Sequence, residues 1–107
     1  MKKRKESDLV SAAVEWLNLQ PKTFCRRIVT TGVPIGRTGT FRKNYSAGIS
    51  DVIGVKNSRF FALECKIGNN PATPLQMEFL RRVAGAGGYA AIIRDDLESV
   101  YKVWSEI

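Results

Sequence analysis

Apolar residues recur every three to four positions in three stretches of the chain, which predicts three amphipathic helices. The first helix runs from Glu6 to about Leu19 and ends before Pro21. The last helix follows an N-cap at Asp95 or Asp96. Between these two, the spacing of apolar residues from position 75 onward predicts a further helix.

This second helix has a start signature in its own sequence. Thr73 is placed as the N-cap, Pro74 occupies the first helical position, and Gln76 stands three residues after the cap. The helix runs to about Ala84, and the glycines at 85–88 end it. Gln76 also lies within the apolar arc, so a capping-box role and a role in a functional site are both open.

Four shorter runs of apolar and β-branched residues predict strands. They are Phe24 to Thr31, Ile49 to Val55, Arg59 to Lys66 and Tyr89 to Arg94. A tight turn at 56–58 joins the second and third strands as a hairpin. The segment 32–48 is rich in Gly, Ser and Thr and predicts a loop or a splayed hairpin, with a short strand near 40–43. The order α-β-β-β-α-β-α predicts an α/β fold in which helices pack on a mixed sheet.

The chain shows no internal repeat and no linker. We therefore expect one domain over residues 1–107, with a basic tail at 1–5. No apolar run approaches the roughly 20 residues that a membrane helix needs, and none follows the basic start as in a signal peptide. We accordingly expect a cytoplasmic protein without a membrane partner. Cys25 and Cys65 lie in apolar runs and are expected to be reduced and buried.

Composition restricts the chemistry that this chain can perform. It contains 17 basic residues, 10 acidic residues and no histidine, which gives a net charge of +7. The absence of histidine excludes Ser-His-Asp and Cys-His catalysis and every His-metal site. Two cysteines cannot form a closed four-ligand zinc site. Acid–base or metal chemistry must therefore come from carboxylates, lysines or hydroxyls.

The positive charge is concentrated in one segment. Residues 16–63 hold eight basic residues and a single acid, Asp51. Together with the basic N-terminus, this imbalance indicates a polyanionic partner, most simply nucleic acid. A basic surface that serves only solubility is the alternative.

Two carboxylates are expected to meet at one end of the predicted hairpin. Side chains alternate along a strand, so Glu64 and Lys66 share a face. If the turn is centred near residue 57, Asp51 lies opposite Glu64. Two adjacent carboxylates repel unless a cation sits between them, and oxygen ligands of this kind suit Mg²⁺. The alternatives are a simple Glu64–Lys66 ion pair and a turn or cap role for Asp51.

The first helix carries a third candidate carboxylate, that of Glu6. On a helical wheel Glu6 falls within the apolar stripe of the first helix, whereas Asp8 and Glu15 fall on the opposite face. Glu6 is therefore expected to point toward the sheet. Complementation of the helix dipole by a first-turn acid is the alternative role.

The ordered set of Gly48-Ile49-Ser50-Asp51, Glu64-Cys65-Lys66 and Thr73-Pro74-Leu75-Gln76 resembles the PD-(D/E)XK nuclease superfamily. More narrowly, it is similar to the stand-alone VRR-NUC proteins of bacteriophages. The resemblance covers the chain from Glu6 to about Leu97. The family commonly has Pro directly before the Asp, where this chain has Ser50.

The resemblance implies a restriction-endonuclease-like fold and a metal-dependent endonuclease with Asp51, Glu64, Lys66 and Gln76 as its catalytic set. By it, Asp51 and Glu64 bind Mg²⁺ or Mn²⁺, Glu6 joins them directly or through water, and the backbone carbonyl of Cys65 faces the metal. Lys66 would orient the attacking water and offset phosphate charge, and Gln76 would position that lysine or water.

The resemblance also bears on partners, because similar small phage proteins are homodimers that cut four-way DNA junctions. It implies a homodimer that acts on branched DNA. The candidate DNA-contacting residues are Arg26, Arg27, Arg37, Arg42 and Lys43. Cleavage of flaps, other branched DNA or duplex DNA is the alternative within the nucleases, and a non-catalytic nucleic-acid-binding module is the alternative outside them.

Overall fold

The computed structural model describes residues 6–29, 34–35, 40–41 and 48–107 of the chain. Within these ranges the elements are α1 (Glu6–Asn18), β1 (Thr23–Arg27), β2 (Pro34–Ile35), β3 (Thr40–Phe41), β4 (Val52–Lys56), β5 (Arg59–Lys66), α2 (Pro74–Gly85), β6 (Tyr89–Arg94) and α3 (Leu97–Glu106). None of the helices in the described part is long and apolar enough to cross a membrane.

The four longer strands form one mixed sheet in the order β1-β4-β5-β6. The pairs β1–β4 and β4–β5 are antiparallel, whereas β5 and β6 run parallel and α2 connects them. The predicted α/β fold, with helices packed on a mixed sheet, is confirmed. The predicted loop or splayed hairpin at 32–48 contains β2 and β3, which pair antiparallel as a second, two-stranded sheet.

Helices α1 and α3 share one face of the sheet and bury the apolar core between them and it. The core comprises Leu9, Val10, Ala13, Leu17, Cys25, Val52, Phe61, Leu63, Cys65, Ile93, Val100 and Val103. Because side chains alternate along β5, its remaining positions point to the other face, where α2 packs on β5 and β6. Cys25 and Cys65 are free and buried, as expected.

The β4–β5 hairpin has the register that the sequence predicts. Its two-residue turn is Asn57-Ser58, and both residues adopt positive φ, at 50° and 73°. Such a turn matches the right-handed twist of the flanking strands. Val52 pairs with Leu63 in the ladder. One step further along this register, Asp51 stands opposite Glu64.

The start of β4 differs from its prediction. The strand begins at Val52 and not at Ile49, so Asp51 lies just before the strand. Gly48 has φ +88°, and a Cβ at this position would come within 2.6 Å of the Leu75 carbonyl oxygen. The chain therefore turns closely beneath the first turn of α2 before it can extend. β1 is also shorter than predicted and ends at Arg27; the last two residues of its prediction, 30–31, lie outside the described residues.

Candidate metal centre

Three carboxylates meet at the end of the hairpin. Glu6 comes from the first turn of α1, Asp51 directly precedes β4, and Glu64 comes from β5, and one oxygen of each lies within 4.8 Å of the others. Glu64 is 1% exposed, whereas Glu6 and Asp51 are half-buried. The structure thus brings together the three acids whose inward direction was predicted from strand and helix periodicity.

Glu64 is the innermost residue of this carboxylate cluster. Its Oε1 accepts a hydrogen bond from Gln76 Nε2 at 3.0 Å and lies 4.0 Å from Lys66 Nζ. In the ionised form of Glu64, its buried Oε2 accepts no hydrogen bond from the described residues. A buried carboxylate oxygen without a partner is costly, and a cation is the kind of group that relieves the cost. The cluster therefore fits a divalent cation.

The electrostatics of the cluster agree with this interpretation. Burial, a side-chain hydrogen bond with Asp51 and the charges of Asp51 and Glu6 raise the pKa of Glu64 to about 8, against the opposing effect of the Lys66 ammonium. Without a cation, Glu64 therefore favours its protonated form at neutral pH. A cation held among the three carboxylates would favour the ionised form.

Asp51 is held in place by the strands on both sides of it. Its Oδ2 accepts a hydrogen bond from the Cys65 backbone N–H at 2.9 Å, and its carbonyl accepts one from the Ile28 N–H at 2.8 Å. The sequence analysis did not predict the hydrogen bond from the Cys65 N–H to Asp51, although the predicted register placed Asp51 opposite Glu64, the neighbour of Cys65. The backbone carbonyl of Cys65 as a metal ligand stays a prediction.

Gln76 combines the two roles that the sequence left open. Its amide oxygen accepts a hydrogen bond from the Thr73 N–H at 2.8 Å, and its own N–H donates to Thr73 Oγ1 at 3.2 Å, which completes a capping box. Its Nε2 remains available and donates to Glu64. One side chain thereby ties the start of α2 to the carboxylate cluster.

Lys66 is almost as buried as Glu64, and its side chain is 9% exposed. It ends β5 beside Arg94, its partner in the parallel register with β6. Arg94 Nη1 donates to the carbonyls of Gly68 at 2.9 Å and Asn70 at 2.7 Å, so it holds the loop that follows Lys66. Sequence reasoning missed Arg94, because its position depends on pairing between distant strands.

Two of the five predicted DNA-contacting residues lie in the described part. Arg26 and Arg27 are exposed on β1. Arg27 Nη2 donates to Ser7 Oγ at 3.2 Å, directly beside Glu6, so it borders the carboxylate cluster. The other three, which are Arg37, Arg42 and Lys43, lie outside the described residues.

The mixed sheet, its flanking helices and the carboxylate cluster at one strand end define an α/β chain with a candidate metal centre. Among solved structures this chain is similar to one named "VRR_NUC domain protein", with a TM-score of 0.69, 22% sequence identity, and coverage of 97% of this chain and 88% of that one. The chain therefore has the fold of a VRR-NUC domain, and the restriction-endonuclease-like fold expected from the sequence is confirmed. No family model matches the sequence. No curated protein matches it either.

Proposed function

We propose that this protein is a metal-dependent endonuclease that hydrolyses phosphodiester bonds in branched DNA, with four-way junctions as its substrate. The observation that carries the proposal is the convergence of Glu6, Asp51 and Glu64 around a buried carboxylate oxygen that accepts no hydrogen bond from the described residues. The shared fold with a solved VRR_NUC domain protein supports it.

In this proposal Glu6, Asp51 and Glu64 hold Mg²⁺ or Mn²⁺, both of which take oxygen ligands. The bound cation would lower the pKa of a water and polarise the scissile phosphate. The Cys65 N–H keeps Asp51 aimed at the site, and Gln76 keeps Glu64 aimed at it. These two contacts fix the carboxylates on rigid backbone elements, which is what a preorganised site requires.

Lys66 supplies the positive charge that a phosphate transition state needs. Its ammonium lies 4.0 Å from Glu64 and is largely shielded from water. A cation in such surroundings stabilises developing negative charge more strongly than one in bulk water. The same group can orient the attacking water. No step of phosphodiester hydrolysis requires the histidine that the chain lacks.

The net charge of +7 supports a DNA partner, because phosphate contacts dominate affinity for nucleic acids. We place further DNA contacts at Arg26, Arg27, Arg37, Arg42 and Lys43. We also propose that residues 1–107 act as one nuclease domain and that the protein works as a homodimer in the cytoplasm. Symmetric cleavage of a four-way junction requires two active sites, which a two-fold dimer provides.

A nuclease that prefers flaps or plain duplex DNA would use the same site, and a substrate panel separates it from the proposal. A non-catalytic binding module is the more distant alternative. The presence of Asp51, Glu64, Lys66 and Gln76 within one contact network argues for catalysis, because a binding module has no use for a buried carboxylate oxygen that accepts no hydrogen bond.

The test is a cleavage assay on labelled single-stranded, duplex, flap and four-way DNA, with Mg²⁺, with Mn²⁺ and with EDTA. We expect metal-dependent nicking of the four-way junction by the wild type. Asp51→Asn and Lys66→Ala should abolish cleavage and retain DNA binding. Glu15→Gln is the control, because it neutralises an exposed acid of α1 that lies outside the carboxylate cluster.

Cleavage in EDTA, or full activity in both Asp51→Asn and Lys66→Ala, would overturn the proposal. Preferred cutting of flaps or linear duplex would move the protein to the alternative nuclease class. Salt-sensitive DNA binding that ignores both metal and these substitutions would instead identify a binding module.

A further inference from the structure

A row of exposed apolar side chains crosses the sheet on the face that α2 covers only in part. Phe24 pairs with Val55, and Val55 pairs with Phe60, so the three side chains stand next to one another on β1, β4 and β5. They are 58%, 43% and 40% exposed, respectively. We call these three residues, which are two phenylalanines and the valine between them, the aromatic row. Its exposure shows that α2, which packs on β5 and β6, leaves β1 and β4 open on this face.

The surroundings of the aromatic row are basic. The Arg26 guanidinium lies 4.5 Å from the centre of the Phe24 ring. A groove of about 590 Å³ beside Phe24 contains Lys22, and another of about 490 Å³ beside Phe60 contains Arg82. No acidic residue of the described part lines either groove. The patch therefore combines exposed rings with positive charge, which complements a nucleic-acid strand.

The aromatic row also faces the same way as the carboxylate cluster. Phe60 and Glu64 lie four residues apart on β5, so their side chains point to one face at a separation of roughly 13 Å along the strand. Arg26, paired with Ile53, occupies the position between the two. A DNA strand would cover this distance with about four nucleotides at the rise of a duplex strand.

We propose that the aromatic row binds an unpaired strand of the DNA substrate by stacking bases on Phe24 and Phe60. Arg26, Lys22 and Arg82 contact the phosphates of the same strand. This inference rests on the proposed nuclease function and deepens it, because it assigns the aromatic row to nucleotides that are unpaired at or near the branch point of the DNA, about four nucleotides from the scissile bond. Stacking on aromatic rings tolerates any sequence, since every base offers a flat face.

The charge on this surface argues against a second copy of the chain as its occupant. Two copies docked through this face would bring Arg26, Lys22 and Arg82 against the same residues of the partner. Like charges placed together across an interface are unfavourable. A polyanion meets these charges with the opposite sign.

The experiment measures fluorescence anisotropy in EDTA with three labelled probes, which are a 12-nucleotide single strand, a duplex with a single-stranded tail, and a blunt duplex. The double variant Phe24→Leu, Phe60→Leu keeps apolar side chains but removes both rings. We expect it to bind the single strand and the tailed duplex about 10- to 100-fold more weakly and the blunt duplex unchanged.

Two control variants define the effect. Phe24→Trp, Phe60→Trp retains flat rings and should keep the affinity for single strands. Leu19→Ala removes another exposed apolar side chain, 77% exposed and outside the aromatic row, and should bind like the wild type. Circular dichroism confirms that each variant is folded. Wild-type affinity of the double leucine variant for the single strand would overturn the proposal.

Two other outcomes would also overturn it. Tighter binding of an RNA strand of the same sequence would exclude DNA as the intended occupant. A wild-type dimer that dissociates on Phe24→Ala, measured by sedimentation, would assign the face to a second copy.

Because the binding is measured without metal, ring-dependent binding in a protein that never cuts would refute the nuclease function alone. Cleavage without ring-dependent binding would refute the stacking alone.

Discussion

Two glutamates of this protein each lie beside a basic side chain, in opposite surroundings. On the surface of α2, Glu78 accepts hydrogen bonds from Arg81, the shortest of them 2.7 Å, and the two side chains are 48% and 72% exposed. In β5, Glu64 lies 4.0 Å from Lys66, and the two side chains are 1% and 9% exposed. The pair with the better geometry is the one in water.

The pKa values move in opposite directions. Hydrogen bonds from Arg81 hold the pKa of Glu78 below its usual value, whereas burial raises the pKa of Glu64 to about 8. An exposed pair contributes little because water screens it, and a buried pair with an unpartnered oxygen opposes folding. Buried ionisable groups with strongly shifted pKa values, such as Glu64, are typical of functional sites. The poorly compensated charge of Glu64 therefore supports its proposed role in metal binding.

The largest expected effect comes from neutralising the buried glutamate, Glu64. Glu64→Gln keeps the size of the side chain and a carbonyl oxygen for Gln76, but it removes the charge that would bind the cation. We expect cleavage of branched DNA to fall about a thousandfold or more, since electrostatic stabilisation is the dominant contribution at such sites. Calorimetric titration should show Mn²⁺ binding lost in parallel.

Glu78→Gln is the matched control for this substitution. It makes the same chemical change on the exposed face of α2 and should retain both wild-type cleavage and wild-type Mn²⁺ binding. Equal losses in the two variants would show that burial does not distinguish the two glutamates. Mn²⁺ binding that survives Glu64→Gln would remove Glu64 from the proposed ligand set.

The next effect is on stability. Glu64 has a pKa of about 8 in the folded protein and about 4.3 in an unfolded chain. Because the folded value is the higher one, the fold favours the protonated form of Glu64, and the contribution of this form to stability is fully present below the unfolded pKa. The contribution is lost as pH rises through the folded pKa. Chemical denaturation in EDTA should therefore show stability falling by a few kcal/mol between pH 5 and 9, since one pKa unit corresponds to about 1.4 kcal/mol.

The variant Glu64→Gln tests the origin of this pH dependence. Its amide does not titrate, so most of the slope between pH 5 and 9 should disappear, whereas Glu78→Gln should keep it. A metal-free wild type whose stability is constant over this range would contradict the elevated pKa of Glu64.

The fold was largely predictable because its signals are local. The N-cap at Thr73, the alternation along β5 and the turn at Asn57-Ser58 each act within a few residues. The start of β4 was wrong by three residues because Gly48 turns beneath Leu75, a contact between segments far apart in sequence. Local patterns do not contain such contacts.

The carboxylate cluster was predictable for a related reason. Hairpin register placed Asp51 opposite Glu64, and helical periodicity turned Glu6 toward them. The supporting contacts were not predictable. These contacts are the hydrogen bond from the Cys65 N–H to Asp51 and the two hydrogen bonds from Arg94 to the 68–70 loop. They depend on distances across three strands. Pattern reasoning found the charged groups of the site and missed the backbone that holds them.

Gln76 offers a finer test, because its cap contacts and its contact with Glu64 can be separated. Thr73→Ala removes one cap contact and should lower stability by about 1 kcal/mol with cleavage nearly unchanged. Gln76→Ala loses the contact with Glu64 as well, so cleavage should fall about 10- to 100-fold. Denaturation and single-turnover kinetics measure the two effects. Equal cleavage in both variants would assign Gln76 to the cap alone.

The smallest effect is expected at the exposed pair. Arg81→Gln removes the bidentate partner of Glu78 and leaves two side chains in water, where solvent replaces the lost hydrogen bonds. We expect no measurable change in the thermal midpoint at physiological salt and wild-type cleavage. A clear drop in stability would show that this surface pair contributes to the fold of α2. In that case the close, well-aligned pair, and not the buried one, would be the structurally important of the two.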